Sequence, residues 1–314
     1  MSTHATKPTN ATETVSHLGD RPLLGVTLLM GCLIAMAGIS ALVKLLGTDY
    51  PIQQLLMFRF GIAALIFLCL ASRNGGVQAL KTRRPFDHAV RTLCGIVSLS
   101  AYFYAITEIP IADASAISYA APIFVVVLSI PFLGERIGLQ RWLAVLAGFV
   151  GMLLIARPGV MSLEVGYIAA IASALFGAMV VVWLRRLAKT EKTITSGFYY
   201  NTTGALLAVG WVLLTGWTTP SATDLALLVL LGLLAGPQQY LLAASFRFAE
   251  ASMLAPLDYA FLIFAAVIGY VFWGEVPTLI TWIGCAIIAA SGIFAAYRER
   301  VVSGRQKLQP PPVT

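Results

Sequence analysis

A chain of 314 residues that is 59% hydrophobic and only 11% charged is not a soluble domain, which carries about 45–50% apolar and 25% charged residues. Its net charge of +7 would point to nucleic acid in a soluble protein, but the basic residues here lie between apolar runs and serve as topology signals, so no nucleic-acid partner is expected. Cys32, Cys69, Cys94 and Cys285 stand alone in apolar runs, and His4, His17 and His88 have no ligand-like spacing, which excludes a disulfide framework and leaves no expected metal centre or cofactor.

Residues 1–21 are polar and read as a disordered cytoplasmic tail. Since a bilayer core takes roughly 20 helical residues to cross, ten candidate spans follow: 22–46, 52–72, 88–107, 111–133, 139–156, 166–187, 195–215, 224–247, 252–273 and 277–297. None alternates with the period of a barrel strand, and helices are the other way to satisfy every backbone group in lipid. The lipid bilayer is therefore the first expected partner. A polar C-terminal tail, 298–314, closes the chain.

The stretch Tyr119 to Trp142 recurs without a gap as Tyr259 to Trp282, with ten of 24 positions identical, among them Tyr119/Tyr259, Phe124/Phe264, Gly134/Gly274, Glu135/Glu275 and Trp142/Trp282. This is an internal duplication. The linker 157–163 separates a first repeat, 22–156, from a second, 164–297. Five spans per repeat is an odd number, so the second copy is inserted upside down. With both termini in the cytoplasm, 17 of the 21 Lys and Arg fall on the inner side, as the positive-inside rule requires. The fold class is an all-α integral membrane bundle of ten transmembrane helices, arranged as two inverted five-helix repeats. Gly134-Glu135 then faces the cytoplasm and Gly274-Glu275 faces out. At an offset of 141, Lys44 aligns with Arg185.

Five-plus-five spans, a Pro-containing fourth span and a Gly-Glu turn leading to a Gly-rich fifth span resemble the drug/metabolite transporter superfamily, EamA family. Thr82 to Arg91, Gln140-Arg-Trp and Gly148-Phe-Val-Gly151 are similar to members that import riboflavin or S-adenosylmethionine. The Trp-Ser often seen in the first span of the wider family is absent. The resemblance implies a bacterial cytoplasmic-membrane protein whose first, third and fourth spans in each half line a central cavity. It leaves a homodimer open.

In the fourth span Ser115, Ser118, Tyr119 and Pro122 share one helical face. Their repeat partners Ala255, Asp258, Tyr259 and Leu262 share another, and the substrate is expected between the two. A carboxylate at the depth of Asp258 costs about 2.5–3.5 kcal/mol on insertion scales. It reads as a cation- or proton-binding group, or else as an interfacial acid reaching water or Arg247. Arg59 is a second charge at depth, a coupling candidate expected to reach Glu108 or Asp113. Gln238 and Gln239 follow Pro237 near mid-span, with Ser98 opposite Gln238 in the repeat. They suit hydrogen bonds to substrate, although one glutamine can instead satisfy the carbonyl that Pro237 exposes. Tyr102, Tyr119, Tyr240 and Tyr259 offer faces for a flat ring, while packing between helices would use the same tyrosines.

No catalytic residue is assigned, and without a nucleotide-binding loop a primary pump is excluded. The expected protein is a secondary transporter of a small organic metabolite working by alternating access. Riboflavin uptake is the first expectation. S-adenosylmethionine uptake or exchange is the alternative, followed by export of an amino acid or other metabolite. A membrane-embedded transferase is the rival from another class, but it needs a cluster of acids that the chain does not present.

Overall fold

The computed structural model describes residues 22–73, 76–82, 84–133, 139–156, 165–187, 191, 193–249, 254 and 257–308. Its helices are α1 (Pro22–Leu46), α2 (Ile52–Arg73), α3 (Pro85–Glu108), α4 (Ile111–Ser118), α5 (Ala121–Leu133), α6 (Leu139–Ala156), α7 (Val165–Leu187), α8 (Thr193–Thr215), α9 (Ala222–Phe248), α10 (Ala260–Trp273) and α11 (Leu279–Leu308). There is no strand among the described residues. Among the described residues, six stretches, on α1, α2, α3, α4 with α5, α7 and α9, are long and apolar enough to cross a bilayer. Shorter apolar helices run over Trp142–Ala156, Ala260–Trp273 and Leu279–Phe294. The last helix continues beyond the expected span end at 297 to Leu308. Residues 1–21, the Gly134-Glu135 turn and the 157–163 linker lie outside the described residues.

The helices pair across the two halves of the chain. α1 packs on α9 and α3 on α7, while α2 packs on α8 and α6 on α11. Exchanging the halves turns the first pair into the second and leaves the other two unchanged, which is the pattern a two-fold relation between repeats produces. The α6–α11 contact is a backbone approach. A Cβ on Gly151 would lie 3.0 Å from the Gly284 carbonyl oxygen, and one on Gly284 would lie 2.9 Å from that of Gly151. Small residues allow such approach where no hydrophobic drive separates helix from lipid. Gly284→Leu is therefore expected to cost about 1–3 kcal/mol through overpacking, seen as a lower thermal midpoint of the purified protein in detergent. Gly61→Leu is the control, because a Cβ there meets nothing within 4 Å.

The fourth span is not the continuous helix expected over 111–133. It breaks at Tyr119–Ala120 between α4 and α5, because Pro122 has no N–H for the carbonyl one turn back and its ring crowds that carbonyl. The chain tightens at this point: Ala120 N donates to Ile117 O at 3.0 Å and Ile123 N to Ala120 O at 2.9 Å. The second repeat breaks at the matching tyrosine. Tyr119 has φ −71° and ψ −2°, Tyr259 has φ −67° and ψ −11°, and Leu262 N donates to Tyr259 O at 3.1 Å. The two breaks meet, with the tyrosine ring centroids 5.8 Å apart. Interrupted helices that meet at depth are the form in which transporters build ligand sites from backbone and side chains together.

Candidate functional site

Beside the two breaks is a cavity of about 490 Å³. Met36 of α1, Ser98, Leu99 and Tyr102 of α3, Ser118 and Tyr119 at the break, Pro122, Val125 and Val126 of α5, Ser173, Gly177 and Val181 of α7, Asp258 and Gly292 all line it. From the level of Tyr102 these residues lead toward the end of the bundle where α5 and α7 finish. Five expected site residues, Ser98, Tyr102, Ser118, Tyr119 and Asp258, are thus brought together.

Each polar residue in the wall has a distinct state. Ser98 Oγ donates to Ser173 O at 2.8 Å, and Gly177 leaves it room, since a Cβ there would lie 3.2 Å from that oxygen. The Tyr102 hydroxyl bridges Ser40 Oγ at 3.1 Å and Ser115 Oγ at 3.0 Å, so α1, α3 and α4 meet in a buried polar layer. Ser118 Oγ is buried with no hydrogen-bond partner among the described residues. The Tyr119 ring stacks on Phe261 at 5.4 Å and 16°, which holds it as a fixed aromatic surface. Asp258 lines the cavity and makes no hydrogen bond or ion pair among the described residues. Among the described residues, no Lys or Arg lines the cavity. A lone carboxylate in largely apolar surroundings gains most from a cation brought to it.

The other expected site residues lie elsewhere. Tyr259 packs against Tyr119, and its hydroxyl sits against Gly292, where a side chain would collide with it. Gln238 is buried between α9 and α1, its Nε2 donating to Cys32 Sγ at 3.5 Å. Gln239 Oε1 accepts from Asn201 Nδ2 at 2.9 Å, joining α9 to α8. Neither glutamine lines the cavity, because α9 turns that face onto its neighbours. Tyr240 is exposed and leaves the aromatic set.

Arg59 is buried with its guanidinium 5.2 Å from the Phe60 ring centroid, away from the cavity. The expected pairing with Glu108 or Asp113 does not form. Glu108 is exposed, and Asp113 Oδ2 accepts from the Tyr167 hydroxyl at 3.2 Å.

Two residues that sequence reasoning used only as repeat markers form a polar contact at one end of the bundle. Lys44 of α1 pairs with Glu275 of the α10–α11 turn. The signal was present in the sequence, since both repeats keep a base and an acid at these positions, but position in a repeat does not reveal a partner.

The EamA-like transporter family model matches residues 23–157 and 164–297. An S-adenosylmethionine uptake transporter of Rickettsia felis is 28% identical over 284 residues, spanning 90% of this chain and 96% of that protein. A pseudopaline exporter of Pseudomonas aeruginosa is 31% identical over 271 residues, covering 86% and 94%. A riboflavin transporter of Rhizobium johnstonii is 28% identical over 250 residues, covering 80% and 82%. With both halves matched and a cavity at the paired helix breaks, the chain belongs to the EamA-like transporter family and is a membrane transporter, not an enzyme.

Proposed function

We propose that the protein is a secondary transporter that takes up a small organic cation bearing a flat ring, with S-adenosylmethionine as the first candidate. The observation that carries this reading is the cavity wall: Asp258 lines it, and among the described residues no basic residue does. Arg59, the opposing charge that kept the sequence from separating riboflavin from S-adenosylmethionine, is outside that wall. Asp258 would hold the sulfonium or ammonium group, Tyr119 backed by Phe261 would take the purine face, and Ser98 and Ser118 would reach the ribose hydroxyls. Similarity to the Rickettsia uptake transporter favours the same reading. Riboflavin is the second candidate, favoured by the aromatic surface and by the Rhizobium relative.

In this reading the chain crosses the bacterial cytoplasmic membrane ten times, as inverted repeats over 22–156 and 164–297, with both termini inside. The cavity then faces the cytoplasm. Exchange of the two halves converts the α3–α7 seam that now borders the cavity into the α1–α9 seam. Gln238 lies in that second seam and Tyr259 is the repeat partner of the wall residue Tyr119, so both would enter the substrate path when it opens outward, with Gln239 beside them.

Cells expressing the protein are expected to accumulate labelled S-adenosylmethionine with saturation, and excess unlabelled riboflavin is expected to compete weakly. Absence of that uptake, together with rescue of a riboflavin-auxotrophic bacterium lacking its own importer, would make riboflavin the substrate.

A further inference from the structure

We propose that Glu275, together with Lys44, latches a gate over the end of the cavity where α1 finishes, and that releasing this latch opens the cavity to the outside. The sidedness rests on the transporter reading above.

The latch begins with backbone geometry. Gly274 has φ +67°, a left-handed value that favours glycine, and it ends α10 with Gly274 N donating to Tyr270 O and Glu275 N to Gly269 O, both at 3.0 Å. This cap folds the Glu275 side chain back over the last turn of α10, where a Cβ on Gly269 would lie 2.7 Å from Oε2. One carboxylate then serves two elements of the other half of the chain. Oε1 pairs with Lys44 Nζ of α1, and Oε2 accepts the Ile111 N–H at 3.0 Å, at the N-terminus of α4, where the helix dipole favours an anion. Lys44 Nζ also donates to Ile109 O at 3.0 Å and sits 5.7 Å from the Trp273 ring centroid.

Beneath this contact lies the Ser40–Tyr102–Ser115 layer, which joins α1, α3 and α4. The ion pair therefore ties the α10–α11 turn of one half to the elements that close the cavity in the other half. It is sheltered, with side-chain exposures of 11% for Lys44 and 17% for Glu275. A sheltered ion pair contributes little net stability, because desolvation offsets attraction, yet removing one partner leaves the other unpaired and costly. Such a contact can hold one state and be released when a competing state is stabilised, which an apolar seal of the same area does less readily. The acid and base also recur in sequence, Glu135 at offset 140 and Arg185 at offset 141, although those side chains lie outside the described ones.

The test needs no substrate. In a background without native cysteines, Ala121→Cys, at a residue that also lines the cavity, places one thiol in the wall, and a membrane-impermeant thiol reagent is applied to right-side-out and inside-out vesicles. The wild-type latch is expected to give labelling mainly from the cytoplasmic side. E275Q should raise the outside rate and lower the inside rate, moving their ratio by about tenfold or more, as a shift of roughly 1.4 kcal/mol between states requires. The exchange Lys44→Glu with Glu275→Lys should restore part of the wild-type ratio.

A structural role alone would raise reactivity from both sides or lower the amount of folded protein without the reciprocal change. If the cysteine-free background does not fold, hydrogen exchange on the otherwise native protein replaces it. E275Q should then speed exchange in 103–118 while slowing it at the opposite end of α5 and α7. An unchanged labelling ratio, or exchange that changes only at the latch, would overturn the gate. Loss of S-adenosylmethionine uptake by the wild-type protein would refute the substrate assignment and leave these accessibility readouts intact.

Discussion

Asp258→Asn is expected to lower kcat/KM for uptake of a cationic substrate by about 30-fold or more, since truncating one partner of a desolvated charge pair costs about 2–5 kcal/mol. The protein should still reach the membrane, because a neutral amide is cheaper than a carboxylate at that depth. Asp224→Asn is the matched control. Asp224 accepts from Tyr50 and Ser221 hydroxyls at 2.8 and 2.7 Å at the start of α9 and is not part of the cavity wall, so its loss should leave uptake unchanged. Initial-rate uptake of labelled S-adenosylmethionine, normalised to protein in the membrane, decides the matter. Uptake by Asp258→Asn at the wild-type rate would mean that Asp258 is an interfacial acid and that charge is recognised elsewhere.

Tyr119→Ala is expected to damage both architecture and transport. The ring is clamped between Phe261 and Tyr259 at the point where the two broken helices meet. Tyr119 is partly buried, so its truncation should cost less than the roughly 3–5 kcal/mol of a fully buried aromatic. Removal of the stacking face should also raise KM for a ring-bearing substrate by about two- to tenfold, given roughly 0.5–1.5 kcal/mol for an aromatic pair beyond the area it buries. Tyr119→Phe keeps the ring and should retain most of both properties. The measurements are the thermal midpoint in detergent and KM in vesicles. An increase in KM for Tyr119→Phe equal to that for Tyr119→Ala would show that the hydroxyl, and not the ring, is what the substrate uses.

Membrane residence, helical class and the duplication were all legible before any coordinates. Hydropathy reports whether a segment can leave water, and a repeated Tyr, Gly-Glu and Trp at one offset reports common descent of two segments, so neither depends on knowing a neighbour. The fourth span shows where this kind of reading weakens. Pro122 was visible, but whether a helix absorbs a proline or breaks depends on what can take the freed carbonyl. Pro237 stands inside α9 without ending it, whereas the chain at Pro122 breaks at Tyr119.

The candidate site divides along the same line. Ser118, Tyr119 and Asp258 were placed together from sequence because helical spacing and the repeat put them on facing surfaces. Arg59, Gln238 and Gln239 were included because buried polar groups need partners, and that argument is sound about need but silent about identity. Gln238 uses Cys32, Gln239 uses Asn201, and Arg59 lies over Phe60. The two glutamine partners come from helix rotation and packing, whereas Arg59 meets the next residue of its own helix. Likewise, Lys44 and Glu275 are 231 positions apart and meet only because α1 and the α10–α11 turn finish at the same end of the bundle. The sequence by itself determined which segments are apolar enough to enter a membrane and which residues recur, since hydrophobicity and repetition are properties of one segment or of an alignment. Only the tertiary structure decided which polar groups face the cavity and which face each other, because partner choice is set by how helices rotate and approach.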